Sequence, residues 1–492
     1  MSVSVLEIVI LLPILAALAV LFGAPARGSS IVATTFNLGA TLVLCFQYAS
    51  KGSTGLVHTH AREILANPAM SFSVGADGVS LILALLTAIV MFAAVWQIQD
   101  RPAIFYVASL LIGGGALGAF LTTDVFFIYA FHELALIPTF LMIALHGHAE
   151  PIERKKVAWK ATIYLGIGSL VLLAGLVWLV VEFSGGRDLT FDLEALRAQA
   201  KQTPLPIEKQ GAIFFVLLLG FGTLVSLFPF HSWAAPAYAT APTPVAMLHA
   251  GVLKKFGLYG LLRIALPLLP QGANVPWVQN ALLLMLLGNI LVMGLVTIRA
   301  SRLDDTLANS SVMHMGYIFL ALAAGSEIAL KGAVLLMFAH GVSIALLFAL
   351  TGKMRNQLGT LEYSKLGGLA SHAPAFTVLF AFGAFASIGL PGLSNFAGEV
   401  MVFAGSFTGF KGALTNLHWT VILALWGVVM SAVYMLRAYR SIFHGSATTG
   451  LFMSDPALPQ RLPLILMAAT LLLTGCCPWL LLNLLKGTLA AG

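Results

Sequence analysis

Charge is what this sequence has least of. Only 9% of its 492 residues are Asp, Glu, Lys or Arg, against roughly 25% in soluble domains, which excludes a water-soluble globule. Cysteine is scarce as well. Cys45, Cys476 and Cys477 lie in apolar stretches without disulfide or metal-ligand spacing, and they read as packing residues. The sequence has no Walker loop, no GxGxxG placed between a strand and a helix, no CxxC set and no catalytic-triad spacing. The chain is therefore expected to hold no nucleotide, flavin, iron–sulfur cluster or metal by itself, so its energy must come from an ion gradient or a partner. A basic leader region is missing from MSVSVLEIVILLPILAALAVLFG, which instead contains Glu7; this reads as a retained first helix and not as a cleaved signal. The net charge of +7 is scattered over short loops with no basic cluster or interleaved aromatics, which excludes a nucleic-acid surface.

What is present is hydrocarbon. Hydrophobic residues make up 59% of the chain and the mean hydropathy is +0.95. Apolar runs recur from end to end, each long enough to cross a bilayer core of roughly 30 Å. Punctuation by Gly, Pro and charge gives about fourteen spans, near 4–22, 31–49, 78–98, 103–121, 124–147, 157–183, 209–229, 243–266, 277–298, 305–324, 328–352, 375–408, 417–440 and 462–484. The fold class is thus an all-α membrane protein. The 50–77 stretch suits a small hairpin outside the membrane, and RDLTFDLEALRAQAKQ, within 184–208, has the spacing of a surface amphipathic helix. Loops after odd-numbered spans carry 13 Lys and Arg against 10 on the other side, four of those in one long loop. By the positive-inside rule both termini face away from the cytoplasm.

Two spans are interrupted alike. The seventh ends in LVSLFPFHSWAAPAYATAPTP and the twelfth reads FASIGLPGLSNFAGEVMVF. Proline and glycine at membrane depth free backbone carbonyls that need partners or water. Paired broken helices point to an inverted repeat with a transport pathway between its members; two simple proline kinks are the plainer alternative.

Ionisable residues inside spans carry the chemistry, because an isolated charge at mid-bilayer costs from roughly 3 to more than 10 kcal/mol. Glu133 lies near the centre of the fifth span, after His132. Burial and a nearby cation act oppositely on a carboxyl, a competition that makes a proton site switchable. Lys255 is central in the eighth span; adjacent Lys254 projects about 100° away, so one of the two is expected to meet a partner subunit or to snorkel, and Lys255 is read as the internal one. Glu399 follows the twelfth-span break, as the exit carboxylate of a relay or a helix-terminus acid. Lys160 is either a relay member or a snorkelling lysine near its span's charged entrance. His314 and His340 lie inside spans, and His231 and His249 flank the seventh-span break. Imidazole both accepts and donates a proton, so these rings can bridge the acids and amines. Each alone is more often a hydrogen-bonded packing residue than a relay member, but their concentration in the same membrane layer as Lys255 points to a hydrated chain.

FHELALIPTFLMIALHG, PFHSW with APTPV, AGVLKKFGLYGLLRI, SSVMHMGYIFLALAAGS, MFAHGVSIALLFAL and GLPGLSNFAGE resemble the antiporter-like membrane subunits of respiratory complex I over residues 75–445. The acid in GLPGLSNFAGE resembles the subunit M, or chain 4, family; the L and N relatives usually place a lysine near this point. The resemblance implies helices 1–3 over 1–98, a first five-helix repeat over 99–270, an inverted second repeat over 271–445 and a last helix over 446–492. It implies proton translocation through Glu133, Lys255, the histidines and Glu399, driven by quinone reduction. NADH, FMN, iron–sulfur clusters and quinone are then expected in partner subunits, with L-like and N-like subunits as neighbours in a bacterial inner membrane. Family chains commonly have a lysine at the Lys160 position. The chain departs from the pattern at Leu224, where the family has a lysine, and at AAPAY over 234–238. Glu133 thereby loses its expected charge partner, leaving Lys160 or His231 to substitute. The alternatives are a subunit of a cation/proton antiporter or membrane-bound hydrogenase, and a structural membrane-arm subunit with lost or altered pumping.

Overall fold

Apolar runs of this length become helices because in hydrocarbon each backbone N–H and C=O must be satisfied within its own segment. The computed structural model describes residues 3–65, 69–185, 189–446 and 452–489. In chain order these form α1 (Val5–Leu21), α2 (Ala26–Ser50), strands β1 (Val57–Leu65) and β2 (Met70–Ala76), α3 (Gly78–Gln97), α4 (Ala103–Leu121), α5 (Val125–His146), α6 (Pro151–Phe183), α7 (Leu193–Gln202), α8 (Ile207–Val225) and α9 (Ala234–Thr240). There follow α10 (Thr243–Leu268), α11 (Pro276–Arg299), α12 (Leu303–Ala324), α13 (Glu327–Leu358), α14 (Pro374–Ile388), α15 (Ser394–Gly405), α16 (Asn416–His444), α17 (Leu458–Cys476) and the single turn α18 (Trp479–Leu482). Among the described residues 12 helices are individually long and apolar enough to span a membrane. The shorter α1 and the broken pair α14 and α15 complete the fourteen expected spans.

Spans four to eight are α4, α5, α6, the broken α8 and α10; spans nine to thirteen are α11, α12, α13, the broken α14–α15 and α16. The break falls in the fourth span of each group. Five is odd, so the second group starts from the opposite side of the membrane and runs inverted. The expected hairpin is the antiparallel β1–β2 pair, and the amphipathic stretch is α7, which buries Leu193, Leu196 and Ala200.

Acidic caps tie these outer elements to the helix ends. Glu7 completes a capping box with Ser4 at the start of α1 and accepts from Arg62 of β1 at 2.9 Å. Asp124 caps α5 through Phe126 N–H (2.9 Å) and Phe127 N–H (3.2 Å), and also accepts from Ser71 N–H of β2 (3.2 Å). Asp77 caps α3 and pairs with Arg263 at the far end of α10. At the opposite end Asp304, in the first turn of α12, pairs with Arg355 (2.7 Å) and Arg302 (2.9 Å).

Helices α10 and α13 have no lipid face, since every residue of their most apolar 18-residue window is buried, whereas the corresponding share is 39% in α5 and α16. Cys45 packs inside as expected, but Cys476 is exposed, because α17 runs along the periphery with one face outward.

The breaks are satisfied by side chains from neighbouring helices. α8 stops at Val225, short of the expected 229, where Ser226 enters the left-handed region at φ 69°. Asn289 of α11, fully buried, receives Phe228 N–H at 2.7 Å and donates to the carbonyls of Ser226 and Val312 at 3.0 Å each. Trp233 Nε1 donates to Thr223 O at 3.1 Å. α14 stops at Ile388 because Gly389 turns to φ 79°, and the freed Ser387 carbonyl faces His314 Nε2 at 2.9 Å.

Asn289→Leu strands two polar groups at the first break, at about 1–3 kcal/mol each. The thermal unfolding midpoint of the detergent-solubilised protein is expected to fall by several degrees, and an unchanged midpoint would remove Asn289 from this role. A second expectation concerns pH. Burial pushes the Asp124 carboxyl up to about 6, so between the usual Asp range and pH 6 the folded chain holds a proton that the unfolded chain has released. Stability therefore declines as pH rises through that window. Asp124→Asn should flatten this decline in a pH series of unfolding midpoints.

Candidate functional site

Lys255 sits at the junction of two conformations. Residues His249–Leu253 form a π-helical turn and the α-helix resumes at Lys255; such wider turns leave carbonyls open to side chains. Lys255 Nζ donates to Ala250 O at 2.9 Å and lies 2.9 Å from His340 Nδ1 on α13. That reach depends on close backbones: a Cβ on Gly341 would stand 2.6 Å from Gly251 O, so only glycine permits α10 and α13 to cross here.

Lys254 is equally internal, at 1% exposure, which corrects the expectation that one of the two lysines meets a partner or snorkels. The 100° argument assumed an outer side, and α10 has none. Lys254 Nζ donates to Ser311 O at 3.1 Å and lies 5.2 Å from the centre of the Tyr238 ring.

The histidines extend the row. The rings of His340 and His314 are 5.5 Å apart. His314 presents Nδ1 to Ser310 O at 2.8 Å and Nε2 to Ser387 O at 2.9 Å, an arrangement in which both nitrogens act as donors only in the doubly protonated ring. His249 is buried between Trp233 and Tyr238, with ring centres 5.6 and 5.3 Å away, and its Nδ1 has no partner among the described residues. Glu399 is 5% exposed on α15 and has no ion pair or hydrogen bond among the described residues. Its carboxylate lies against the break, where a Cβ on Gly389 would collide with Oε2.

Glu133 is placed differently from the rest. It accepts from Ser169 Oγ of α6 and lies 3.5 Å from His132 Nδ1, yet its side chain is 36% exposed on the outer face of α5. His132 itself is buried and stacks on Phe256 of α10 with ring centres 4.0 Å apart, so it connects the outer acid to the inner helix. Neither proposed substitute reaches Glu133. Lys160 is exposed on α6 beside Trp159 and Ile163, because its face of that helix points away from the bundle. His231 stacks on Phe228, ring centres 5.0 Å apart, beyond the first break. Leu224 is 3% exposed and packs in the core.

Sequence reasoning missed Tyr238, Ser169, Ser311, Tyr317 and Asn395. Tyr238 Oη, Tyr317 Oη and both side-chain polar atoms of Asn395 are buried without hydrogen-bond partners among the described residues, the kind of atom that ordered water satisfies in protein interiors. A single signal was available for Asn395, its position one turn before Glu399 on the same helix face. At the loop end of α10 and α13 a polar cavity of about 270 Å³ is lined by Gln97, Arg101, His146, His148, Lys353 and Gln460. Burial, with the Arg355 and Arg101 charges, holds the His148 imidazole down to about 3. Among the described residues no group of three or more His, Cys, Asp or Glu could hold a metal ion.

Residues 122–432, which contain every acid, lysine and histidine of the candidate relay, match the family model described as NADH:quinone oxidoreductase/Mrp antiporter, TM. The chain is 32% identical over 462 residues to an NAD(P)H-quinone oxidoreductase chain 4 of a Synechococcus species, covering 92% of this chain and 84% of the relative. Its fold superimposes on a chain of respiratory complex I from Thermus thermophilus with bound NADH at TM-score 0.88 and 28% identity, covering 99% and 98% of the two chains. A chain of the Mrp complex from a Dietzia species shares the fold at TM-score 0.84 with 20% identity, over 99% and 96%.

Two glycines at the second break separate strain from contact. Gly389 and Gly392 both have left-handed backbones, φ 79° and 88°, but only Gly389 touches Glu399. Gly389→Ala is expected to shift the carboxyl infrared band assigned by Glu399→Gln subtraction, and Gly392→Ala to leave it in place. Equal shifts would mean that backbone strain, and not the carboxylate contact, is being read.

Proposed function

Because this chain belongs to the NADH:quinone oxidoreductase/Mrp antiporter transmembrane family, we propose that it is the chain 4, or subunit M, member of a complex I-type quinone oxidoreductase and moves protons across the membrane as part of that enzyme. The observation that carries this reading is a row of buried ionisable side chains around α10 and α13: Lys255 lies 2.9 Å from His340, whose ring is 5.5 Å from that of His314, with Glu399 beyond the second break. Amines and rings with no carboxylate to hold their protons suit transfer better than storage, since a close ion pair would fix the proton in place.

Glu133 supports a neighbour. A carboxylate 36% exposed at membrane depth is costly against lipid, and an adjoining membrane-arm subunit, L-like or N-like, would cover it. In this reading Glu133 and His132 receive the coupling signal, Lys255 is the central relay and Glu399 the exit. The polar cavity beside Arg101 and Lys353 lies on the side that the charge bias makes cytoplasmic, and would supply protons to the row. The N- and C-termini then face the opposite side of a bacterial inner membrane. NADH, FMN, iron–sulfur clusters and quinone would be bound by partner subunits, where electron transfer drives the pump. Residues 99–270 and 271–445 would act as the two repeats.

A structural membrane-arm subunit is the competing reading, favoured by Leu224 where family chains carry a lysine. Glu133→Gln and Lys255→Met in the assembled complex decide between them. Both are expected to lower the proton-to-electron ratio in reconstituted vesicles, with Lys255→Met slowing proton transfer by about tenfold or more. Parent-like ratios in both would support the structural reading.

A further inference from the structure

Lys254 is the one buried amine in the row to which the proposed relay gives no part. It lies 1% exposed, and no carboxylate comes within ion-pair distance of it among the described residues. Its polar contacts are Ser311 O (3.1 Å), Ser311 Oγ (3.4 Å) and the face of the Tyr238 ring. A buried charge so sparsely compensated is a net burden on folding, and an apolar side chain of similar volume would be cheaper. Stability alone therefore gives no reason for a lysine here.

Its position does. The π-helical turn before it sends two successive amines to different elements: Lys255 to His340 on α13, Lys254 to α12 and to Tyr238 of α9. On the α12 side, Ser311 precedes His314 by three residues, one turn along the same face. On the α9 side, Tyr238 Oη and His249 Nδ1 are both buried and have no hydrogen-bond partner among the described residues, with their rings 5.3 Å apart. Lys254 Nζ stands over the face of that same Tyr238 ring, 5.2 Å from its centre, and buried polar atoms in such a setting suit a bridging water. Phe256, two residues on, carries the stacked His132 ring from the Glu133 side.

From this juxtaposition, and resting on the proton-translocation reading, we infer that Lys254 is a second relay amine, joining the Tyr238–His249 pocket to the His314–His340–Lys255 cluster by way of Ser311. In the transfer an N–H bond of the Lys254 ammonium breaks and an N–H bond forms at His249 Nδ1 through a bridging water, which takes up one proton and gives up another, leaving the amine lone pair. The amine is refilled from the α12 side over Ser311 Oγ, 3.4 Å away, which accepts one proton as it releases another. No electron moves, and no group other than the proton is exchanged.

The test uses the intact complex reconstituted in vesicles. Lys254→Gln keeps an N–H donor for Ser311, Lys254→Met keeps the volume without polarity, and Lys254→Arg keeps a charge that does not release its proton. All three are expected to lower the proton-to-electron ratio to about half or less of the parent value, with assembly judged by native electrophoresis. A parent-like ratio in any assembled variant overturns the inference: Gln would make Lys254 a structural donor, Met would make it dispensable, and Arg would make it a fixed charge. Met relieves a buried charge, so at least this variant is expected to assemble. Glu133→Gln and Lys255→Met measured alongside distinguish the failures. If either loses pumping while the Lys254 variants do not, only this inference falls; if both also pump normally, the proton-translocation reading falls with it.

Discussion

A backbone N–H or C=O left without a partner in hydrocarbon costs several kcal/mol, and this chain exposes such groups on purpose by breaking two helices and widening turns in three others. Where the freed groups are met by side chains from neighbouring helices, polar residues become fixed at membrane depth. Asn289 closes the first break and the Ser387 carbonyl at the second holds His314. Lys255 reaches back to Ala250 within the widened turn of α10. Hydrogen-bond accounting thus decides which ionisable groups stand in the interior and how they are aimed.

Charge pairing follows the same geography. At the two ends of the bundle, acids and arginines are matched, as Asp77 with Arg263 and Asp304 with Arg355; these pairs anchor loops and caps. In the middle the signs are kept apart. Lys254 and Lys255 contact carbonyls, a hydroxyl and imidazole, while Glu399 lies alone beyond the break and Glu133 stands at the outer face. Matched pairs hold protons still, and separated ones leave them transferable. The enclosure of α10 and α13 supplies the low-dielectric surroundings in which small rearrangements change the balance.

The spans, the two breaks, the hairpin and the amphipathic helix were legible from hydrophobic run length and from Gly and Pro punctuation, because the bilayer imposes length and the breakers act locally. The interior placement of Lys255, Glu399, His314 and His340 was legible because a charged or imidazole side chain in an apolar run is costly against lipid and is driven into the bundle. The side each residue faces was not. Lys254 turned out internal since α10 is surrounded by protein, a property of the packing of all its neighbours and absent from its own sequence. Lys160 turned out exposed for the converse reason. The 36% exposure of Glu133 also depends on which face α5 leaves open. Tyr238 and Ser311 are ordinary residues in ordinary runs, given meaning only by the amine that reaches them from another helix.

The proposed relay requires water to join the buried polar groups between the first break, the lysine pair and Glu399. A cryo-electron microscopy map of the assembled complex, at a resolution that shows ordered water, tests it most directly. The account predicts density bridging His249 Nδ1, Tyr238 Oη, the His314–His340 cluster, Tyr317 Oη, Asn395 and Glu399. A dry interior there, with apolar side chains closed over these atoms, would contradict it.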